Sequence, residues 1–247
     1  MQNMGTKNIV IIIFLGLIAL YASYYGGFFS IVTLLMWGLL IAGLAAGMWM
    51  NYTVPTKRLV AFILTVFVYE YFKETQGIAS GMWTYSGNPG AVDFGVWCWV
   101  IASLGTLGLA YKILIPLLRK VIKEMPVYVN FFVIIIVFAL IPILLGPYWQ
   151  NANAPFWALY GVSFVISAYA ATKMGFPSLI GVVIMSMVMG NIGEYIAGIQ
   201  SGLWTFAYDK TWPPFYLSLG GWPLEILSQY TISALIAGET LDVYKKD

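Results

Sequence analysis

The sequence predicts an all-α integral membrane protein of eight transmembrane helices. Three observations predict it: a charge-poor apolar composition, apolar runs of membrane-spanning length, and basic residues that fall on one side of those runs. Of 247 residues, 61% are hydrophobic and 9% charged, with a mean hydropathy of +0.84. Soluble domains carry about a quarter charged residues, so the charge deficit alone sets the class. The net charge of +2 gives no basis for nucleic-acid binding.

A hydrocarbon core of ~30 Å needs about 20 apolar residues per helix. On that ruler the spans fall at 8–25, 29–49, 58–79, 96–116, 127–147, 156–172, 178–200 and 221–239. The first is too long for the core of a signal peptide and no A-x-A-like cleavage site follows it, so it reads as a span. Pro55-Thr56 and Pro177-Ser178 are start signals for the third and seventh helices. Gly26-Gly27, Gly87-Asn88-Pro89-Gly90, Asn151 to Pro155 and Pro213-Pro214 interrupt the others.

Orientation follows from the basic residues. With eight spans, Lys7, Lys57, Arg58, Lys112, Arg119, Lys120, Lys123, Lys173, Lys245 and Lys246 share one side, against Lys73 and Lys210 toward the other. Both termini are therefore expected in the cytoplasm and the chain in the cell membrane. Tryptophans gather at the opposite ends: Trp83, Trp97, Trp99, Trp149, Trp157, Trp204, Trp212 and Trp222. Part of this is an interfacial aromatic belt.

An internal repeat organises the chain. Residues 77–85 read GIASGMWTY and residues 198–206 read GIQSGLWTF, identical at six of nine positions. Each copy sits where an odd-numbered span reaches the outer surface. The expected halves are 1–124 and 125–247, with four spans each. An even span number gives them the same orientation. Small residues such as Gly77, Ser80 and Gly81 also serve close helix packing in membranes.

Charged residues inside spans are costly and so are functional candidates. Glu70, Lys73 and Glu74 lie on one stripe of the third span with Gly77 and Gly81, and Asn191 and Glu194 on one stripe of the seventh with Gly198 and Ser201. By the offset of the repeat, Asn191 matches Glu70 and Glu194 matches Lys73. The eighth span opens Gly221-Trp222-Pro223-Leu224-Glu225, adding a fourth carboxyl at a similar depth. The bland alternative is a set of ion pairs and hydrogen bonds that only hold helices together. The sharper reading is a dry, aromatic-walled pocket in which a neutral carboxylic acid serves as general acid and aromatic faces stabilise developing positive charge. On that reading Glu70, Glu74, Glu194 and Glu225 are candidate catalytic residues. Lys73, Trp83, Tyr85, Asn191, Trp204 and Trp222 are candidate substrate contacts.

Histidine is absent and Cys98 is the single cysteine, which excludes His-based triads, haem ligation and the usual zinc and copper sites. Neither metal nor cofactor is expected. Phosphate-binding loops and zincin motifs are also missing from the sequence.

Glu74-Thr75-Gln76-Gly77-Ile78-Ala79-Ser80-Gly81-Met82-Trp83-Thr84-Tyr85 resembles the E-x-x-G-x-x-x-G-x-x-x-Y stretch of membrane carotenoid-modifying proteins of the hydratase type. Gly202-Leu203-Trp204-Thr205-Phe206, followed by Gly221-Trp222-Pro223-Leu224-Glu225, is similar to the membrane lycopene-cyclase domains. The resemblance implies a multi-helix enzyme, lyase or isomerase, that protonates a double bond of a long polyene, with Glu74 and Glu225 as acids. Two features depart from it. Glu225 is followed by Ile226 where the cyclase domains double the acid, and Glu194 stands one residue further from its Gly-x-Trp than Glu74 does. The partners expected are membrane lipid and an apolar polyene. A subunit of a larger membrane assembly and a small-molecule transporter are the competing functions.

Overall fold

A computed structural model describes residues 2–30, 32–85, 90–140 and 152–206, with 231, 232, 234–236 and 238. Its elements in chain order are α1 (Gln2–Tyr25), α2 (Leu34–Asn51), α3 (Thr56–Ala79), β1 (Trp83–Tyr85), α4 (Gly90–Leu109), α5 (Ile115–Val121), α6 (Val127–Ile135), α7 (Ala154–Lys173), α8 (Phe176–Gly193) and β2 (Trp204–Phe206). Wider π-type turns continue three of these helices: Ala110–Leu114 joins α4 to α5, Ile136–Leu140 extends α6, and Glu194–Gln200 extends α8.

Five helical stretches among the described residues are long and apolar enough to cross a membrane: Gly5–Tyr25, Leu34–Asn51, Val92–Val121, Ala154–Lys173 and Phe176–Gly198. Helix α3 has the length, 24 residues or ~36 Å. It misses the apolar class because Lys57, Arg58, Glu70, Lys73 and Glu74 interrupt it. The fourth expected span is longer than the sequence suggests. Its 30 residues reach ~45 Å and carry Arg119 and Lys120 past the apolar stretch. Of the eighth expected span, Thr231, Ile232, Ala234, Leu235, Ile236 and Gly238 are helical and buried; the remainder lies outside the described residues.

The surface is the reverse of a soluble protein's. Leu34, Phe14, Val121, Ile41 and Val165 are exposed, while Glu70, Lys73, Glu74 and Glu194 are buried. Water would not tolerate that arrangement, and a hydrocarbon solvent favours it.

Helix α4 is the central element, packing on α1, α2, α3 and α8. It meets α2 backbone to backbone, since a Cβ on Gly105 would lie 2.7 Å from the Gly43 Cα. Small residues at such a crossing let dispersion contacts between main chains hold the helices together. Leu59, Phe62 and Val66 of α3 share a core with Leu104 and Leu107 of α4 and Leu179 and Val182 of α8.

Local devices recur along the chain. The Asn8 side-chain amide donates to the Asn51 and Val54 carbonyls at 2.7 and 2.6 Å. The Asn130 amide donates likewise to the Ala171 and Met174 carbonyls at 2.9 and 3.0 Å. These bonds satisfy carbonyls left open at the ends of α2 and α7. At the start of those helices, Thr33 Oγ1 accepts from the Met36 N–H at 3.3 Å and Asn153 Oδ1 from the Phe156 N–H at 2.8 Å. Helix α3 and the π turn that extends α8 are each followed by a glycine with positive φ, Gly81 at 67° and Gly202 at 61°. This left-handed turn reverses the chain into β1 or β2 without a Cβ clash.

Candidate functional site

The two GxWT(Y/F) segments meet. Strands β1 and β2 pair antiparallel with Trp83 opposite Phe206, Thr84 opposite Thr205 and Tyr85 opposite Trp204. Thr84 and Thr205 sit at the centre of the ladder, their hydroxyls 3.1 Å apart and exposed. Because strand side chains alternate, the aromatic residues on either side of each threonine turn inward. Trp83 packs edge-on to Phe206 with ring centres 6.4 Å apart, and Tyr85 packs on Trp204 at 5.6 Å. The ladder is a lid whose inner face is aromatic.

Beneath this lid lie the buried charges. The Trp83 indole N–H donates to Glu74 Oε2 at 2.7 Å, and the Tyr85 hydroxyl donates to the same oxygen at 3.0 Å. Lys73 Nζ ion-pairs with Glu70 and, at 3.3 Å, with Glu74 Oε1. Both Glu74 oxygens therefore face donors. Across the ladder, the Trp204 indole N–H donates to Glu194 Oε2 at 2.6 Å. Charged groups in low dielectric persist only with such compensation.

A second aromatic contact joins the two sides. Lys73 Nζ lies 5.1 Å from the centre of the Trp99 ring, and Trp99 packs on Trp204 with ring centres 5.9 Å apart. The cation rests on a π face whose indole touches the one holding Glu194. Glu194 in turn lies within electrostatic reach of Glu74 and Lys73. One cluster thus combines three carboxyls and one ammonium from α3 and from the end of α8.

An apolar cavity of about 50 Å³ adjoins the cluster, lined by Met36, Leu40 and Gly43 of α2, Cys98 and Trp99 of α4, and Trp204 among others. Its rim includes Leu39 of α2 and Met189 and Gly193 of α8, all half-buried. Trp204 is the shared wall, with cavity on one side and Glu194 hydrogen-bonded on the other.

The structure brings together Glu70, Lys73, Glu74, Trp83, Tyr85, Glu194 and Trp204 of the residues expected from sequence. The side chain of Asn191 instead donates to the Met187 carbonyl of its own helix at 2.9 Å and is half-buried. Trp222 and Glu225 lie outside the described residues. The register needs correcting. A constant offset matches Glu194 to Lys73, yet Glu194 holds the place of Glu74, as acceptor for the indole of the following strand. The π turn Glu194–Gln200 is the reason. Bonding five residues back rather than four absorbs one extra residue, so ten residues separate Glu194 from Trp204 where nine separate Glu74 from Trp83.

Trp99, Ser103 and Thr106 were not singled out as site residues. Their spacing of four and three on α4 puts them on one helix face, and that signal was available. As for metals, Lys73 occupies the space between Glu70 and Glu74, and no group of His, Cys, Asp and Glu among the described residues is arranged to hold an ion. Compared with protein-family models, with curated proteins and with solved structures, the chain finds no match.

Proposed function

We propose that this chain is a cell-membrane enzyme that crosses the bilayer eight times as two parallel four-helix halves, 1–124 and 125–247, with both termini cytoplasmic. We further propose that it uses buried carboxyls for acid/base chemistry on a long apolar substrate of isoprenoid type. The recurrent Asn8 and Asn130 bonds, the Thr33 and Asn153 caps, and the antiparallel meeting of β1 with β2 support the two halves. An antiparallel pair centred on Thr84 and Thr205 is what a local two-fold axis through the lid produces. With parallel halves that axis runs along the membrane normal.

The single observation that carries the chemistry is the Glu194–Trp204 pair, because Trp204 also lines an apolar cavity bordered by α2, α4 and α8. Glu70, Glu74 and Glu194 face one ammonium, Lys73. Uncompensated charge in a low-dielectric site is costly, and the cluster holds more carboxyls than its single ammonium can balance. Glu74, enclosed by Lys73, Trp83 and Tyr85, sets the charge balance and anchors the lid. Glu194 is the acid on the cavity side. Trp99 and Trp204 supply π faces on which a developing carbocation is stabilised. At about 50 Å³ the cavity is smaller than an isoprenoid end group, so substrate entry requires the helices that line it to part, with the rest of a long chain in the lipid.

The test is conversion of a panel of long polyenes and isoprenoids by the protein in liposomes, with products followed by mass spectrometry. Turnover that falls at least about a hundredfold in Glu194→Gln, the scale of general-acid catalysis, supports the reading. Full turnover in that variant, or no conversion of any member of the panel, overturns it.

A further inference from the structure

A second, smaller cavity of about 20 Å³ lies against Trp99 on α4, lined by Trp99, Ala102, Ser103, Thr106, Ser186, Met189, Gly190 and Ala234. Trp99, Ala102 and Met189 also line the apolar cavity, so the two spaces share a wall. Their chemistry differs. Three hydroxyls border the smaller one. Ser186 Oγ is bonded to the Val183 carbonyl at 2.9 Å and paired with Thr231 Oγ1 at 3.0 Å. Ser103 and Thr106 are more than nine-tenths buried, at 7% and 6% exposure, and among the described residues their hydroxyls have no hydrogen-bond partner.

A buried hydroxyl without a partner carries a desolvation cost, and a serine or threonine in a helix ordinarily removes it by bonding the carbonyl one turn back. Two such hydroxyls one turn apart on α4, both bordering the same space, point to a ligand that supplies the missing bonds. The space exceeds the ~10–15 Å³ that one water needs, and three hydroxyls give that water the two to four polar partners it requires. Trp99 connects this place to the charged cluster, since the same ring carries Lys73 Nζ at 5.1 Å.

We infer that the cavity bordered by Ser103, Thr106 and Ser186 is a built water site, and that its water exchanges protons with the Lys73–Glu74–Glu194 cluster past the edge of Trp99. The exchange is neutral in atoms and charge: the water accepts a proton on one side and releases one on the other, with the hydroxyls of Ser103 and Thr106 holding it between. The water site stands on geometry alone, whereas the exchange step rests on the acid reading of the carboxyl cluster.

Two measurements on the full chain in nanodiscs separate these parts. In radiolytic footprinting, a bound water contributes to oxidation of Met189 at the cavity wall, while Met82, fully buried elsewhere, serves as internal control. The double substitution Ser103→Ala with Thr106→Val leaves an apolar cavity, which stays dry, and is expected to lower Met189 oxidation severalfold with Met82 unchanged. Unchanged Met189 oxidation in the double variant overturns the water site. In the second measurement, the infrared carbonyl stretch of protonated carboxyls is followed after transfer to heavy water. Slowing of its shift by about tenfold in the double variant supports the exchange step, and an unchanged rate overturns it. Absence of any protonated-carboxyl band overturns the acid reading, while the footprinting result still decides the water site.

Discussion

Glu194 accepts the Trp204 indole proton across ten residues with the same geometry by which Glu74 accepts that of Trp83 across nine. The two pairs differ in sequence spacing and coincide in structure because Glu194–Gln200 winds as a π turn. One residue is thereby hidden in the helix, and the carboxyl arrives at the depth its counterpart occupies. Deleting Tyr195, an exposed residue of that turn, restores a spacing of nine. We expect the deletion variant to fold, with a regular α-helical turn and an unshifted Trp204 environment. Tryptophan fluorescence and size-exclusion profile in detergent check this. A red-shifted, aggregating product would show that the wider turn has a role beyond absorbing the residue.

Each indole–carboxyl pair is also a stability element. Trp204→Phe keeps the ring and removes the donor, leaving a buried carboxyl short of a partner. Such a loss costs ~1–3 kcal/mol. In a double-mutant cycle with Glu194→Gln, the two effects are expected to be non-additive, whereas Trp204→Phe with Glu74→Gln stays closer to additive. Denaturation of the four proteins in mixed micelles reads the coupling. Equal coupling in both cycles would remove the case for two separate pairs.

Lys73 holds the negative side of the cluster together. Lys73→Met removes the ammonium from between Glu70 and Glu74 and leaves buried charge uncompensated, a defect that costs ~3–5 kcal/mol. Adding Glu70→Gln and Glu74→Gln to that variant removes the orphaned charges and should recover much of the stability. If the single variant is as stable as the wild type, the ion pairs contribute little and Lys73 serves another purpose.

The all-α class with several membrane-length apolar helices and the polar stripe of the third helix were legible in the sequence, because each rests on local composition or on helical spacing. Glu70, Lys73 and Glu74 share a stripe by spacing alone, and the helix that bears them buries that face. The match of Glu194 to Glu74 was not legible. A constant repeat offset assumes one kind of helix, and nothing in Glu194-Tyr195-Ile196-Ala197-Gly198 announces a π turn. Nor does alternation in a three-residue strand show that Trp83–Tyr85 would pair with Trp204–Phe206 across 121 residues. That pairing is a product of how the helices are packed. Asn8 and Asn130 escaped notice for a related reason, since an asparagine near a helix start gives no indication that it will bond carbonyls at the far end of the next helix.

Gly77 and Gly198 test how tightly each tryptophan is held. A Cβ on Gly77 would overlap the Trp83 ring, while one on Gly198 would stand 3.0 Å from Trp204 Nε1. Gly77→Ala should therefore displace the Trp83 indole from Glu74, with an overpacking cost of ~1–3 kcal/mol, and Gly198→Ala should cost less. Thermal unfolding, with tryptophan emission as the local probe, ranks the two. The reverse ranking would mean that the Trp204 side of the lid is the more rigid.

The most direct test of the lid is a cross-link. Thr84 and Thr205 are paired residues of an antiparallel ladder, exposed, with hydroxyls 3.1 Å apart. Directly opposed residues bring their Cβ atoms to ~4.5–5.5 Å, close to the span of a disulfide. Cys98, the native cysteine, is buried and leaves an oxidant applied from outside with the introduced thiols as its targets. Thr84→Cys with Thr205→Cys is expected to oxidise within one chain, so that proteolysis between the halves yields fragments that separate only after reduction. Thr84→Cys with an exposed cysteine off the ladder, such as Tyr195→Cys, should not. Only the outer-side location proposed for the lid lets a membrane-impermeant thiol reagent block the cross-link from outside intact cells. Blocking from the cytoplasmic side alone would invert the orientation while leaving the ladder in place.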